Sequence, residues 1–218
     1  MWMKIRFHGN DLQGCPLKRK PQGQESGNAI VLVLGLLLAL PAWAHEQSGQ
    51  AAGFVTGMLH PVSGLDHVLA MVAVGLWGAQ LGAPAIWLLP VTFPLVMAFG
   101  GFLGLLGVPL PGVEIGIAVS AILLGSMVAA QARPPPWVAA VLVGLFAVFH
   151  GHAHGTELPS GESGLLYSIG FVIVTGLLHA AGIAIGLIHR WPKGRIALRG
   201  TGALVGAAGL FFLWRAIA

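Results

Sequence analysis

The chain has 218 residues, of which 56% are hydrophobic and only 8% are charged, and its mean hydropathy is +0.84. Soluble domains carry about 25% charged residues, so this composition excludes an ordinary soluble protein and indicates a membrane protein. The formal net charge of +4 is concentrated in the first 44 residues. No basic patch interleaved with aromatic residues remains elsewhere, which excludes nucleic acid as a partner.

Residues 1–44 have the pattern of a basic segment followed by a secretory signal peptide. The apolar run 29–40 is shorter than the about 20 residues that cross a bilayer. Pro41 and Ala42-Trp43-Ala44 follow it, as is typical of a cleavage site. We expect cleavage after Ala44, with an uncleaved anchor as the alternative. Cleavage would leave His45 as the N-terminus and remove Cys15, the only cysteine, so no thiolate ligand would remain.

Residues 45–218 are predicted to form an all-α membrane domain, a bundle of about six transmembrane helices that follows the cleavable signal peptide. Apolar stretches of spanning length are separated there by short breaks rich in glycine and proline. The predicted spans are 52–81, 85–106, 113–131, 136–153, 164–188 and 199–217. The first span is longer than a bilayer needs. We expect His60-Pro61 to interrupt it and a full crossing to start near Ser63.

Basic residues are distributed unevenly among the predicted loops. With the N-terminus outside, loops 81–85, 131–136 and 189–199 face the cytoplasm, whereas loops 107–112 and 150–163 face outward and contain no lysine or arginine. The cytoplasmic set contains Arg133, Arg190, Lys193, Arg195 and Arg199. Such an excess on the cytoplasmic side is the usual rule, so the sequence predicts a multi-pass protein whose mature N-terminus lies outside the cytoplasm.

A first cluster of histidine and carboxylate residues lies in the first span, in the sequence His60-Pro61-Val62-Ser63-Gly64-Leu65-Asp66-His67. A charged group inside a bilayer costs about 2.5–3.5 kcal/mol, so it usually persists where something binds it. Imidazole and carboxylate without thiolate are ligands for a divalent transition metal. We therefore predict that His60, Asp66 and His67 bind such a metal. The alternative for Asp66 is a capping box with Ser63 as the N-cap residue.

The second cluster is His150-Gly151-His152-Ala153-His154-Gly155-Thr156-Glu157. On a continuing helix His150, His154 and Glu157 would share one face, with His152 on the opposite side. In an extended loop the three histidines would share a face instead, and the two glycines permit both geometries. Three histidines and a carboxylate within eight residues indicate a metal site. The alternative is a polar, solvated loop.

Two further polar residues accompany these clusters. Glu114 opens the third span after Pro111-Gly112, where it either stabilises a helix N-terminus or joins the metal site. His179 lies deep in the fifth span, one turn after Thr175, and either lines a pathway or makes an interhelical hydrogen bond. The predicted topology places the start of span one, the start of span three and the end of span four in the same half of the membrane. The predicted metal ligands are His60, Asp66, His67, Glu114, His150, His154 and Glu157.

The two clusters match the motifs of a known family. The chain resembles the HupE/UreJ proteins, whose motifs HPxxGxDH and FHGxAHGxE are found here at residues 60–67 and 149–157. The resemblance implies a bacterial inner-membrane protein with a cleavable signal and six helices. It implies secondary transport of Ni²⁺, with Co²⁺ as a further candidate, into the cytoplasm for hydrogenase or urease maturation. By position it points to His60, Asp66, His67, His154 and Glu157, and secondarily to Phe93 and Glu114.

The leading prediction is therefore a permease, not an enzyme, with Ni²⁺ as cargo and no prosthetic group. Its predicted partners are the metal ion, the lipid bilayer and hydrogenase or urease maturation proteins. The sequence contains no GxxxxGK[ST] motif, so an ion gradient, the membrane potential or cytoplasmic capture would drive transport.

Two other functions remain open. One is an intramembrane metal-dependent hydrolase, in which the histidines would hold a metal with an open position and Glu157 would act as general base. Neither HExxH nor GxSxG occurs in the sequence to support it. The other is a metal-binding accessory or sensor protein that binds without flux.

Overall fold

The computed structural model describes residues 50–158 and 161–218, with side chains from residue 53 onward. The predicted signal peptide and its cleavage site lie outside these residues. Within them the chain forms α-helices and one short 3₁₀-helix, Leu187–Arg190, and no strand, which confirms the prediction of an all-α fold. The α-helices are α1 Gln50–Ser63, α2 Leu65–Leu81, α3 Ala85–Leu105, α4 Val113–Ala130, α5 Pro136–Thr156, α6 Gly164–Gly186 and α7 Pro192–Ile217.

The helices are long and apolar enough for a multi-pass membrane protein. Helices α3 to α7 each meet the length and hydropathy of a membrane span, and α1 and α2 meet them together as a bent pair, which counts as a sixth span where the pair crosses as one. Large apolar side chains such as Leu95, Leu145 and Leu177 are exposed on the outside of these helices, as expected for a surface that faces lipid. The prediction of about six spans is confirmed.

The break in the first span lies at Gly64, and the prediction of a break at His60-Pro61 is wrong. Helix α1 continues through Pro61 to Ser63, and Gly64 has extended dihedral angles (φ −107°, ψ 119°) before α2 begins. The two helices meet at 80°. A proline biases the preceding residue away from helix but does not forbid it. Here the packing of α1 on α6 holds His60 in helical geometry.

The last helix also begins earlier than predicted, at Pro192 rather than residue 199. Proline is favoured at the first position of a helix, because its fixed φ suits the helix and its missing N–H would have no partner there. The basic residues Lys193, Arg195 and Arg199 therefore lie in the first turns of α7 and not in a loop.

Glycines allow the helices to pack closely in pairs. Helices α1 and α2 both pack on α6, α3 packs on α5, and α4 packs on α7. A Cβ atom added at Gly75 would overlap the carbonyl oxygen of His179, and one at Gly182 would overlap that of Val72. A Cβ at Gly202 would lie 2.6 Å from the carbonyl oxygen of Gly125. Gly182 in α6 and Gly202 in α7 are therefore helix contacts.

These pairings give the bundle two chemically different ends. The histidine end comprises the α1–α2 junction, residues 106–112 and the end of α5 with the start of α6. The basic end comprises residues 82–84, 131–135 and 187–195. Every acidic residue of the described chain lies at the histidine end, namely Asp66, Glu114, Glu157 and Glu162. Arg215, in the last turn of α7, is the one basic residue of the described chain at that end.

Candidate metal site

The second histidine cluster is helical, because α5 continues to Thr156. His150 and His154 lie one turn apart on the same face, as the helical alternative predicts. His152 lies on the other side, where its Nε2 atom donates to the carbonyl oxygen of Val108 at 2.7 Å. All three side chains are buried. The alternatives of an extended segment and of a solvated loop are therefore wrong for these histidines.

Three of the predicted ligand residues meet at the histidine end, one from the first cluster and two from the second. The Nε2 atom of His60 lies 3.0 Å from Oε2 of Glu157, and Nδ1 of His154 lies 4.0 Å from the same oxygen. One ligand atom from each of the three residues lies within 4.8 Å of the other two. Metal–nitrogen and metal–oxygen bonds of about 2 Å place ligand atoms roughly 3–4 Å apart, so this triad is close to coordination spacing.

The remaining cluster histidines extend this triad into the bundle. The ring centroid of His154 lies 4.7 Å from that of His60 and 4.4 Å from that of His67, and His67 lies 4.8 Å from His150. The four imidazoles therefore form an unbroken series in the order His60, His154, His67, His150, which we call the histidine chain.

Hydrogen bonds fix which nitrogen carries the proton in two of these rings. The Asp66 carboxylate accepts from Nδ1–H of His67 at 3.0 Å. Ser120 donates its hydroxyl proton to the carbonyl oxygen of Ile117, so its Oγ atom accepts from Nε2–H of His150 at 2.9 Å. The lone pairs of His67 Nε2 and His150 Nδ1 are left free, and both atoms are buried without a hydrogen-bond partner in the described chain. Metal-ligating histidines are oriented in this way.

Asp66 supports His67 rather than capping α2 through Ser63, so the alternative of a capping box is wrong. The N-cap residue is Gly64, which makes no side-chain capping bond, and Ser63 donates instead to the carbonyl oxygen of His60 at 2.7 Å. Asp66 lies in the first turn of α2, and its Oδ1 atom also accepts the backbone N–H of His67 at 2.9 Å. A Cβ atom at position 64 would lie 2.7 Å from that oxygen, so glycine leaves room for the carboxylate.

Aromatic residues of α6 form the wall beside the triad. The ring centroid of Phe171 lies 4.4 Å from that of His154, and the ring centroid of Tyr167 lies 5.7 Å from that of His60. Sequence reasoning missed both, and it missed Ser120. Tyr167 is the only tyrosine of the chain and Ser120 is a polar residue inside an apolar span, and these were the signals that could have found them.

Glu114 lies outside the triad but lines a cavity at the same end of the bundle. The structure does not bring it into the group of His60, His154 and Glu157. It lines a cavity of about 560 Å³ at the histidine end, in the first turn of α4. The polar and charged residues around this cavity are Asp66, His67, Glu114, His152, Thr156, Glu157 and Arg215. Three carboxylates and the one guanidinium of Arg215 leave a formal charge of −3 + 1 = −2 around this acidic cavity, which attracts cations.

The chain matches known proteins along most of its length. The family model described as HupE / UreJ protein matches residues 31–212. The chain belongs to the HupE/UreJ family. The relative named Protein HupE, from Rhizobium leguminosarum bv. viciae, is 45% identical over 177 residues, which cover 81% of this chain and 93% of the relative. No solved structure matches the chain. The match to the HupE/UreJ family includes both histidine clusters and nearly all of the described helices.

Proposed function

We propose that this HupE/UreJ protein is a secondary permease that carries Ni²⁺, with Co²⁺ as a further candidate, into the cytoplasm through the histidine chain. The observation that supports this most directly is the meeting of His60, His154 and Glu157, since residues far apart in sequence converge close to ligand spacing at the histidine end of the bundle. Neutral imidazoles and a carboxylate suit a borderline divalent cation.

The order of the groups supports passage rather than permanent binding. The acidic cavity at the histidine end attracts the hydrated ion, and the triad then replaces part of its water shell. The free lone pairs of His67 and His150 offer the next ligands, so the ion exchanges one imidazole for another as it moves inward. A conducting site must bind strongly enough to admit the ion and weakly enough to release it. Histidine and carboxylate ligands without thiolate meet this requirement.

The membrane potential suffices in principle as a driving force. Moving one charge across 100 mV is worth about 2.3 kcal/mol, and a divalent ion gains roughly twice that. For inward transport the histidine end faces outward and the basic end faces the cytoplasm, which agrees with the excess of basic residues there.

Location and processing belong to the same proposal. We place the protein in the bacterial inner membrane, with the mature N-terminus outside after cleavage behind Ala44, so that the mature chain is the six-helix domain 45–218. The family resemblance links the imported ion to hydrogenase or urease maturation proteins. An N-terminal sequence of the membrane-extracted protein that begins at Met1 would contradict the cleavage.

The decisive test is uptake of ⁶³Ni²⁺ into proteoliposomes that contain the purified full chain, with Co²⁺ and Zn²⁺ as competitors. We expect accumulation inside the vesicles that protein-free liposomes do not show, and competition by Co²⁺. Stable binding of Ni²⁺ to the protein without accumulation would contradict the permease. That result would favour a metal-binding accessory protein or a metal-dependent hydrolase.

A further inference from the structure

His179 is a second kind of buried histidine, deeper in the bundle than the histidine chain. Its side chain is 1% exposed, and neither of its ring nitrogens has a hydrogen-bond partner among the described residues. Thr175 lies one turn earlier on the same face of α6, is fully buried, and its hydroxyl group likewise has no partner in the described chain. A buried polar group without a partner costs about 1–3 kcal/mol, so two adjacent ones indicate an unassigned role.

The ring of Phe93 connects His179 to the histidine chain. Its centroid lies 5.4 Å from that of His150 and 5.4 Å from that of His179, at interplanar angles of 60° and 82°. Phe93 is fully buried on α3, and the two imidazoles make no ring contact with each other. An apolar ring therefore separates two groups of potential ligands.

Buried polar atoms without a hydrogen-bond partner in the described chain are found from the histidine end toward the basic end. At the histidine end they belong to His67, His150, His154, Glu162 and Tyr167. Further along the bundle they belong to Thr175 and His179, and the Oε1 atom of Gln80 is another, in the last turn of α2 beside the basic end. Unpartnered groups thus occur along the length of the bundle, as expected where a passing ion supplies the missing contact.

We infer that His179 and Thr175 form a second, transient position for the transported divalent cation, and that the Phe93 ring is the barrier between this position and the histidine chain. The inference rests on the proposed function. The ion would leave the lone pair of His150, pass the edge of Phe93, and bind an imidazole nitrogen of His179 and the hydroxyl oxygen of Thr175. No covalent bond changes in this step.

The composition of this second position favours release. It offers one imidazole and one hydroxyl group, and no carboxylate of the described chain makes a hydrogen bond to either. It should therefore hold a divalent cation more weakly than the triad, which has Glu157. A weak position after a stronger one is what multi-site conduction needs.

The test separates binding at the histidine chain from flux. In full-length protein, His179→Phe keeps an aromatic ring, somewhat larger than imidazole, but removes both nitrogens, and Thr175→Val replaces the hydroxyl group with a methyl group. We expect His179→Phe to lower ⁶³Ni²⁺ uptake at least tenfold, while equilibrium dialysis gives the wild-type affinity for the first bound Ni²⁺. Thr175→Val should lower uptake, whereas Thr175→Ser, which keeps the hydroxyl group, should retain it. His189→Phe is the control. His189 lies in the 3₁₀-helix at the basic end, and its Nδ1 atom donates to the carbonyl oxygen of Gly186.

The outcomes distinguish this inference from the proposed function. Wild-type uptake by His179→Phe would overturn the second position and leave the permease intact. Equal losses of uptake and of first-ion affinity would also overturn it, because His179 would then act only through the structure of the histidine chain. If the wild-type protein itself accumulated no Ni²⁺, the permease proposal would fail instead. Loss of uptake in Thr175→Val together with rescue by Thr175→Ser supports the inference even if His179→Phe does not fold.

Discussion

The Nε2 atom of His60 lies 3.0 Å from Oε2 of Glu157, although 97 residues separate the two in sequence. His60 is in the last turn of α1, and Glu157 directly follows α5. Helix α1 packs mainly on α6, and this pair and the ring contact between His60 and His154 connect the end of α1 to the end of α5. The broken first span is thereby joined to the histidine motif at the place where the triad forms.

The His60–Glu157 pair should behave as one unit in metal binding. We expect His60→Phe and Glu157→Gln each to lower Ni²⁺ affinity at least about tenfold, since even supporting groups of metal ligands have effects of this size. The double variant should lose little more than either single one, because both changes disrupt the same site. Equilibrium dialysis with ⁶³Ni²⁺ measures this. Glu162→Gln is the matched control, since Glu162 accepts from Thr56 at the same end of the bundle. Strictly additive losses would argue against a shared ion.

Asp66→Asn should abolish Ni²⁺ uptake in a protein that still folds. The side-chain oxygen of asparagine can still accept a hydrogen bond from His67, but the negative charge that orients the imidazole and attracts the ion is gone. Uptake by proteoliposomes, compared at equal protein content, measures the effect. A well-expressed variant with normal uptake would remove Asp66 from the site. If His154→Ala and Glu157→Gln were silent as well, the permease proposal would fail.

Ser120→Ala should weaken both the fold and transport. It removes the acceptor for the buried Nε2–H of His150, which costs about 1–3 kcal/mol when the donor is left without a partner. The melting temperature should fall, and uptake should fall by about 10–100-fold, as is usual for groups that orient metal-binding histidines. Ser126→Ala is the control, because Ser126 is exposed and bonds only a carbonyl oxygen of its own helix. Equal melting temperatures and equal uptake for the two variants would show that Ser120 does not orient His150.

Gly151→Val should disrupt the packing of α5 on α3. A Cβ atom at this position would overlap the carbonyl oxygen of Met97, and a backbone atom has no rotamer through which it could yield. We expect low yield of folded protein and early melting in detergent. Gly176→Val provides the comparison, since nothing lies within 4 Å of an added Cβ atom there. A stable Gly151→Val protein would mean that the motif glycine is not needed for this contact.

The two ends of the bundle should react oppositely with an impermeant thiol reagent. In a chain with Cys15→Ser, we expect Pro109→Cys to be labelled in intact cells and Lys193→Cys only after the membrane is opened, because basic residues favour the cytoplasmic side. Both positions are exposed, so access to the side chain itself is comparable. Labelling of Lys193→Cys in intact cells would reverse the proposed orientation and the direction of transport.

Much of this fold could be predicted because spanning length and helix-breaking residues are local properties. Stretches of apolar residues between prolines and glycines marked most helix ends within a few residues, but not the start of α7, which lies at Pro192 and not at residue 199. The break at Gly64 was not predictable in this way, since the packing of α1 on α6 overrides the local bias of Pro61. Ser120 was missed for a similar reason. Its contact with His150 joins α4 to α5 across 30 residues and depends on how the two helices meet.

The division of the triad between early and late parts of the chain has a consequence for biosynthesis. The ribosome completes His60 long before His154 and Glu157, so a chain that is still being made contains only part of the binding site. Under the proposed function, the triad that would capture nickel is complete only when α5 has entered the membrane and α6 has provided the wall of Tyr167 and Phe171. A chain that stalls before α5 is made therefore carries His60 without the other two members of the triad.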